Sequence, residues 1–322
     1  MKALMYHYVR EPRSELPYFT YLHRKDFIAQ LRFLRSEFGF VDRDRFRAWV
    51  ANPDLESEPP GVVLTFDDGF ADHHQVVAPL LADLDAWGIF YVPTAVYTGT
   101  AALDVHRIHL LLGQLGGPRC LEILDTEAVS SMFPDEAIEE FQQATYVRQQ
   151  SSDEATKIFK RMLNYYVDYD WRSQLLDRMI LHAVPDQQWE ALIAGLYMGK
   201  SELQDLCSAG NIIGSHSVTH RLMSKLTLDE QRSEIGESSA MLEELTGMQI
   251  ETFCYPYGGF HSFTPDTERL LHEAGMHFSF NVEQRDIELT DVRDRPQALP
   301  RYDCNQFPHG SATIGSNRPT GG

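Results

Sequence analysis

Cysteine is scarce in this chain, four residues in 322, and no two of them form a CxxC pair. Cys120, Cys207, Cys254 and Cys304 lie far apart, which argues against a zinc knuckle and a disulfide framework and reads as scattered thiols. Basic residues are also short: 28 Lys and Arg stand against 47 Asp and Glu, a formal charge of −19. Holding nucleic-acid phosphates needs clustered cations, so nucleic acid is not expected as a partner and an anionic lipid surface is disfavoured. No apolar run approaches transmembrane length, and none of signal-peptide length follows Met1. These absences predict a water-soluble protein, located in the cytoplasm if Met1 is the native start.

Hydrophobic residues make up 43% and charged residues 23%, the balance of an ordinary globular protein. The length suits one large core, or one core plus an elaboration. Short apolar runs at 2–8 and 62–66 read as buried strands, with Phe27, Leu31, Leu34 and Phe38 at helical spacing between them. The alternation continues with a helix over 76–87, a strand at 89–92, a helix at 203–209 and a strand at 211–214. A long helix over 227–245 opens on the capping box Thr227-x-x-Glu230 and closes at Gly247. Strands at 252–255, 277–281 and 299–302, with a helix at 265–274, complete the series. Alternating strands and helices imply a parallel sheet, open or closed into a barrel. Residues 99–200 break the rhythm: Ile108, Leu111, Leu112 and Leu115, then Phe159, Met162, Leu163 and Tyr166, give mainly helical signals. They read as a helical insertion in a domain spanning 1–303. Residues 304–322, rich in Gly, Pro, Ser and Asn, read as a flexible C-terminal tail.

Three turns carry chemistry. Thr65-Phe66-Asp67-Asp68-Gly69 sets adjacent carboxylates where a strand ends, and ligands gather at the carboxyl ends of strands in parallel folds. Alone, Asp-Asp-Gly is equally well explained as turn chemistry. His216-Ser217-Val218-Thr219-His220 also follows a strand, and imidazoles with three residues between them can meet one metal. Two His plus a carboxylate from an independent strand make a complete open ligand set, far more specific than either part. Phe253-Cys254-Tyr255-Pro256-Tyr257-Gly258 runs from strand to turn, where the backbone N–H near Tyr257 could face a developing oxyanion.

In these motifs and their order the sequence resembles the polysaccharide deacetylase (NodB homology) superfamily of carbohydrate esterases, over about residues 1–98 and 201–303. The resemblance implies a distorted (β/α) barrel of about seven strands. It makes Asp68, His216 and His220 the ligands of one divalent metal ion, zinc first, with cobalt, nickel or manganese as alternatives. Asp67 becomes the general base, and Tyr257 an oxyanion donor through its N–H. Two departures stand out. The strand before Pro-Tyr, which in many members carries an arginine that orients the base, has Cys254; Arg301, in the final strand, is the candidate to supply that guanidinium. No Leu-x-His motif follows the Pro-Tyr turn either. Instead, Leu4-Met5-Tyr6-His7-Tyr8-Val9 resembles the circularly permuted branch typified by biofilm glucosamine-polymer deacetylases, which makes His7 the candidate general acid.

Phe70, Tyr255 and Pro256, with Tyr91, are candidates to line a sugar groove, although core packing is the default for buried aromatics. His73, His74, His106 and His109 are rejected as metal ligands and assigned to helices. The implied activity is hydrolysis of an N-acyl group, acetyl first, from an amino sugar in a polysaccharide, a lipid-linked glycan or a nucleotide sugar. The rivals are a deformylase or other amide hydrolase, and a catalytically inactive carbohydrate-binding relative. The insertion is expected to form a lid or a homo-oligomer interface.

Overall fold

The structure is a computed structural model that describes residues 1–133 and 153–315. The chain divides into two units, the first made of Met1–Glu11, Tyr21–Thr100 and Gly195–Ala312, the second of Pro12–Thr20, Ala101–Ala194 and Thr313–Gly322. Among the described residues no helix is long and apolar enough to cross a membrane.

The strands are β1 (Lys2–Tyr6), β2 (Val9–Arg10), β3 (Thr20–His23), β4 (Val62–Phe66), β5 (Gly88–Val92), β6 (Ile212–Ser215), β7 (Thr252–Cys254), β8 (Phe278–Phe280), β9 (Tyr302–Asp303) and β10 (Thr313–Ile314). Seven of them form one parallel sheet in the order β8-β7-β6-β5-β4-β1-β9. A parallel bridge between Phe280 and Leu299, just ahead of β9, joins its two edges. The fold is therefore the distorted seven-stranded (β/α) barrel, and its N-terminal strand pairs with both β4 and the C-terminal β9. That placement is what a permuted strand order requires, because in a closed sheet the first and last strands are neighbours.

The barrel interior is filled by alternate strand residues, among them Ala3, Val63, Ile89, Tyr91, Cys254, Phe280 and Leu299, packed with Phe46 and Trp49. Phe46 and Trp49 come from the helix Arg43–Ala51, which begins where the Asp42 side chain accepts from Arg45 N. The long helix forms over Leu228–Thr246, with the Thr227/Glu230 capping box at its start and Gly247 at φ 73° at its end. The helix expected over 76–87 is shorter, a turn His73–Val77 followed by Ala78–Ala82. It stops because Ala86 N bonds back to Leu81 O and Asp85 takes φ 53°, reversing the chain early.

The second unit has its own apolar core, built from Ile108, Leu111, Cys120, Phe159, Leu163, Leu175 and Met179 among others. It departs from the expected 99–200 segment by including Pro12–Thr20. Tyr18 N donates to Gly113 O at 2.8 Å, and a Cβ at Gly113 would lie 2.5 Å from the Phe19 ring, so the glycine is what lets this segment lie against the helix Asp104–Leu115. In the first unit, residues 304–312 pack on Gln30, whose Nε2 donates to Cys304 O at 2.9 Å and Pro308 O at 3.1 Å. Residues 316–322, the end of the expected tail, lie outside the described residues.

Candidate functional site

The register of the sheet brings the three motif turns to one rim. Tyr6 pairs with Phe66, Val92 with Ser215, Ser215 with Phe253 and Cys254 with Phe280. The residues that follow, His7, Asp67, His216 and Tyr255, therefore leave their strands on the same side. Asp67 N continues the ladder by donating to Tyr6 O at 2.9 Å.

Asp68, His216 and His220 are buried, and one ligand atom from each lies within 4.8 Å of the others. Asp68 Oδ1 is 3.6 Å from His216 Nε2 and 3.3 Å from His220 Nε2. His216 Nδ1 donates to Cys254 O at 2.7 Å, which fixes the tautomer and presents Nε2 to the cluster. Burial, with His220 beside it, lowers the His216 pKa to about 4, so at neutral pH the ring is the uncharged form that binds metals. An oxygen and two imidazole nitrogens at this spacing suit zinc or a similar divalent ion and leave a coordination position open.

The turns are held in unusual backbone conformations. Among the described residues, six non-glycine positions have positive φ, and four of them are in these turns: Asp68 at 81°, Ser217 at 65°, His220 at 57° and Tyr257 at 66°. Such conformations persist only where the surroundings over-determine them, and they concentrate at functional sites. Part of that determination is Glu234, on the helix Leu228–Thr246, whose carboxylate accepts from Val218 N and Thr219 N.

Asp67 faces a buried arginine. Arg301 NH1 donates to Asp67 Oδ1 at 2.8 Å and NH2 to Oδ2 at 2.7 Å, a two-pronged pair. Its other N–H groups reach Thr65 Oγ1 at 2.8 Å, Cys254 Sγ at 2.9 Å and Asn281 O at 3.2 Å, so all five donors are engaged. The guanidinium lies 5.8 Å from the Tyr91 ring centroid and 5.7 Å from that of Phe280. Burial alone would raise the Asp67 pKa; the Arg301 charge and hydrogen bonds outweigh it and hold the carboxyl at about 2. Arg301 does this from the residue before β9 rather than from the end of that strand, as expected from the sequence; its side chain spans the remaining distance.

Asp67, His216 and Cys254 form a second close trio. Both Asp67 oxygens and the Cys254 sulfur already take N–H groups from Arg301, so this trio is organised around a guanidinium, not a metal. Burial pushes the Cys254 thiol well up, so it stays protonated.

His7 follows β1, near enough for its charge to act on Asp67. Its carbonyl oxygen is 2.8 Å from Nε2 of the fully buried His73. The Tyr257 ring lies 5.1 Å from the His220 ring. The groove-lining candidates are all packed inside the protein: Phe70 is fully buried with Tyr8 stacked on it at 4.1 Å, Tyr255 stacks on Phe263 at 3.9 Å, and Tyr91 bonds Thr252 Oγ1 from the core. Pro256 is buried as well. All four of these side chains are buried, which is the default for apolar residues beside a core. Sequence reasoning missed the parts played by Thr65 and Glu234. Thr65 sits inside a motif already singled out, but Glu234 is one of many acids on its helix and carries no local signal.

A parallel (β/α) barrel with an Asp-His-His donor set at its strand ends is the class that fold and site define. Residues 177–279 match the polysaccharide deacetylase family, a stretch that includes His216, His220 and Tyr257 but not Asp67 and Asp68. The same fold is seen in Streptococcus pyogenes deacetylase PplD in complex with acetate, at TM-score 0.57 and 14% identity over 94% of this chain and 91% of that one. IcaB from Ammonifex degensii gives 0.54 and 16% over 94% and 90%, and the BpsB deacetylase domain from Bordetella bronchiseptica 0.50 and 14% over 94% and 96%. At such identities the likeness is one of fold. No curated protein matches the sequence significantly.

Proposed function

We propose that this protein hydrolyses the N-acyl group, acetyl first, of an amino sugar in a glycan or glycan precursor, using one divalent cation held by Asp68, His216 and His220. The observation that carries this reading is the convergence of those three ligand atoms within 4.8 Å beside a carboxylate, Asp67, that Arg301 holds ionised. The family match over residues 177–279 and the fold shared with solved deacetylases support it.

A divalent cation bound there supplies Lewis acidity, polarising the acyl carbonyl and making nearby water easier to deprotonate. Asp67 takes the water proton, its orientation held by the two bonds from Arg301. The Tyr257 N–H stabilises the oxyanion as the carbonyl carbon becomes tetrahedral. His7, at the end of β1, gives a proton to the departing amine, so that the C–N bond breaks to a neutral leaving group.

The test is acid release from N-acetylglucosamine oligomers and from an N-formyl analogue by chelator-stripped protein resupplied with zinc or cobalt. Acetate, released only when metal is restored, is the expected product, and formate alone would move the assignment to a deformylase. Asp67→Asn should retain the metal and lose about a thousandfold or more in rate. Metal-loaded protein that frees no acid from any of these compounds would overturn the reading.

A further inference from the structure

We propose that Glu234 is the positioning residue of the loop 216–220, and that through this loop it sets how tightly the Asp68, His216 and His220 site holds a divalent cation. This rests on the reading above that these three residues are the ligands.

Two of the ligands come from one five-residue loop, and the loop is bent where side chains are disfavoured, at Ser217 and His220. Left alone, such a segment would relax and carry the imidazoles apart. Glu234 opposes this from behind. Its Oε2 accepts from Val218 N and from Thr219 N, each at 2.8 Å, and Oε1 accepts from the Thr219 hydroxyl at 2.5 Å. Two successive N–H groups converging on one anion make the concave backbone arrangement that binds phosphates and other anions elsewhere. Here the anion belongs to the protein itself and is largely withdrawn from water, 8% exposed.

The same helix grips the loop's entry, because the Ser238 hydroxyl lies 2.6 Å from the Ser215 hydroxyl. Inside the loop His220 N donates to Ser217 Oγ at 3.0 Å, closing the turn that aims the second imidazole. The other acids of this helix segment do different things: Glu230 caps Thr227, and Asp229 pairs with Arg232 in solvent. Glu234 is therefore distinguished by three bonds to the stretch between the two histidines. Partners of metal ligands that fix their orientation typically change affinity or activity about 10- to 100-fold when removed.

The experiment is a calorimetric zinc titration of chelator-stripped wild type, Glu234→Ala, Glu234→Gln and Thr219→Val, with a thermal melt of each metal-free protein. Glu234→Ala is expected to lose about 10- to 100-fold in affinity. Glu234→Gln should stay within about threefold, since its amide oxygen can take both N–H groups while its NH2 donates to the Thr219 hydroxyl. Thr219→Val, which removes one bond of three, should fall between them and carries the test if Glu234→Ala does not fold. Wild-type affinity in both Glu234→Ala and Thr219→Val would overturn the proposal. So would a Gln variant as weak as Ala, because charge and not hydrogen bonding would then be responsible. A wild type that binds no zinc defeats the proposed function as well, which separates the two failures.

Discussion

Both units of this protein bury arginines, and they use them differently. In the barrel, Arg301 collects Thr65, Asp67, Cys254 and Asn281, residues brought together from three separate segments, and commits its charge to one carboxylate at the rim. In the helical unit, Arg107 and Arg172 share Asp104, and Arg107 also reaches Ser173 and Asp177, tying the helix Asp104–Leu115 to the helix Tyr169–Ala183. Asp104 keeps two cationic partners and some contact with water, so no single residue governs it. Asp67 has one cationic partner, withdrawn from solvent, and its ionisation depends on that partner. An ion pair can thus be a brace or a setting for a reactive group, and what separates them is redundancy and exposure.

The comparison can be broken by making the same change in both units. Arg301→Met leaves a buried carboxylate without its counter-charge. It should cost about 3–5 kcal/mol of stability and at least about a hundredfold in turnover, read from melts and kcat. Wild-type turnover in a folded Arg301→Met protein would show that the barrel pair is only a brace. Arg172→Met removes a cation whose carboxylate retains Arg107. A loss of about 1–3 kcal/mol with kcat unchanged well below the melting transition is expected, and a large fall in kcat would erase the distinction.

The smallest effect expected is one of pH. His73 is fully buried with its pKa lowered by that burial to about 4, so the fold favours its neutral form. Its contribution to stability is complete above the ordinary histidine value of about 6.5 and is lost as the pH falls through about 4. His216 acts in the same window. His73→Gln should therefore flatten the fall in melting temperature between pH 6.5 and 4 and change little at pH 7.5; a variant with the wild-type slope would remove His73 from that account.

The parts of the site that could be read in advance are those whose neighbours in space are neighbours in sequence. Asp67 and Asp68 share one turn, and His216 and His220 share another, so local order alone announces a donor set. The barrel was legible for a similar reason, because strand and helix periods repeat along the chain and a capping box or a terminal glycine marks where one ends. Aromatic residues beside the motifs are harder to read: Phe70 and Tyr255 have the composition of a sugar platform, yet Phe70 is stacked by Tyr8 and Tyr197, Tyr255 is stacked by Phe263, and both are buried. Periodicity also carried the helix after Asp72 too far, since nothing in its apolar pattern foretells the reversal at Asp85.

What the sequence by itself determined is the set of strands, the order of the turns and the chemical types standing on them, because backbone periodicity and turn chemistry are local. Only the tertiary structure decided that Arg301 meets Asp67 across 234 positions and that Glu234 lies behind the histidine loop. It also decided that Pro12–Thr20 belongs with the helical unit. Those choices depend on which surfaces a closed sheet and its helices bring face to face, and on the cost of burying a charge without a partner. No residue's immediate neighbours record either quantity.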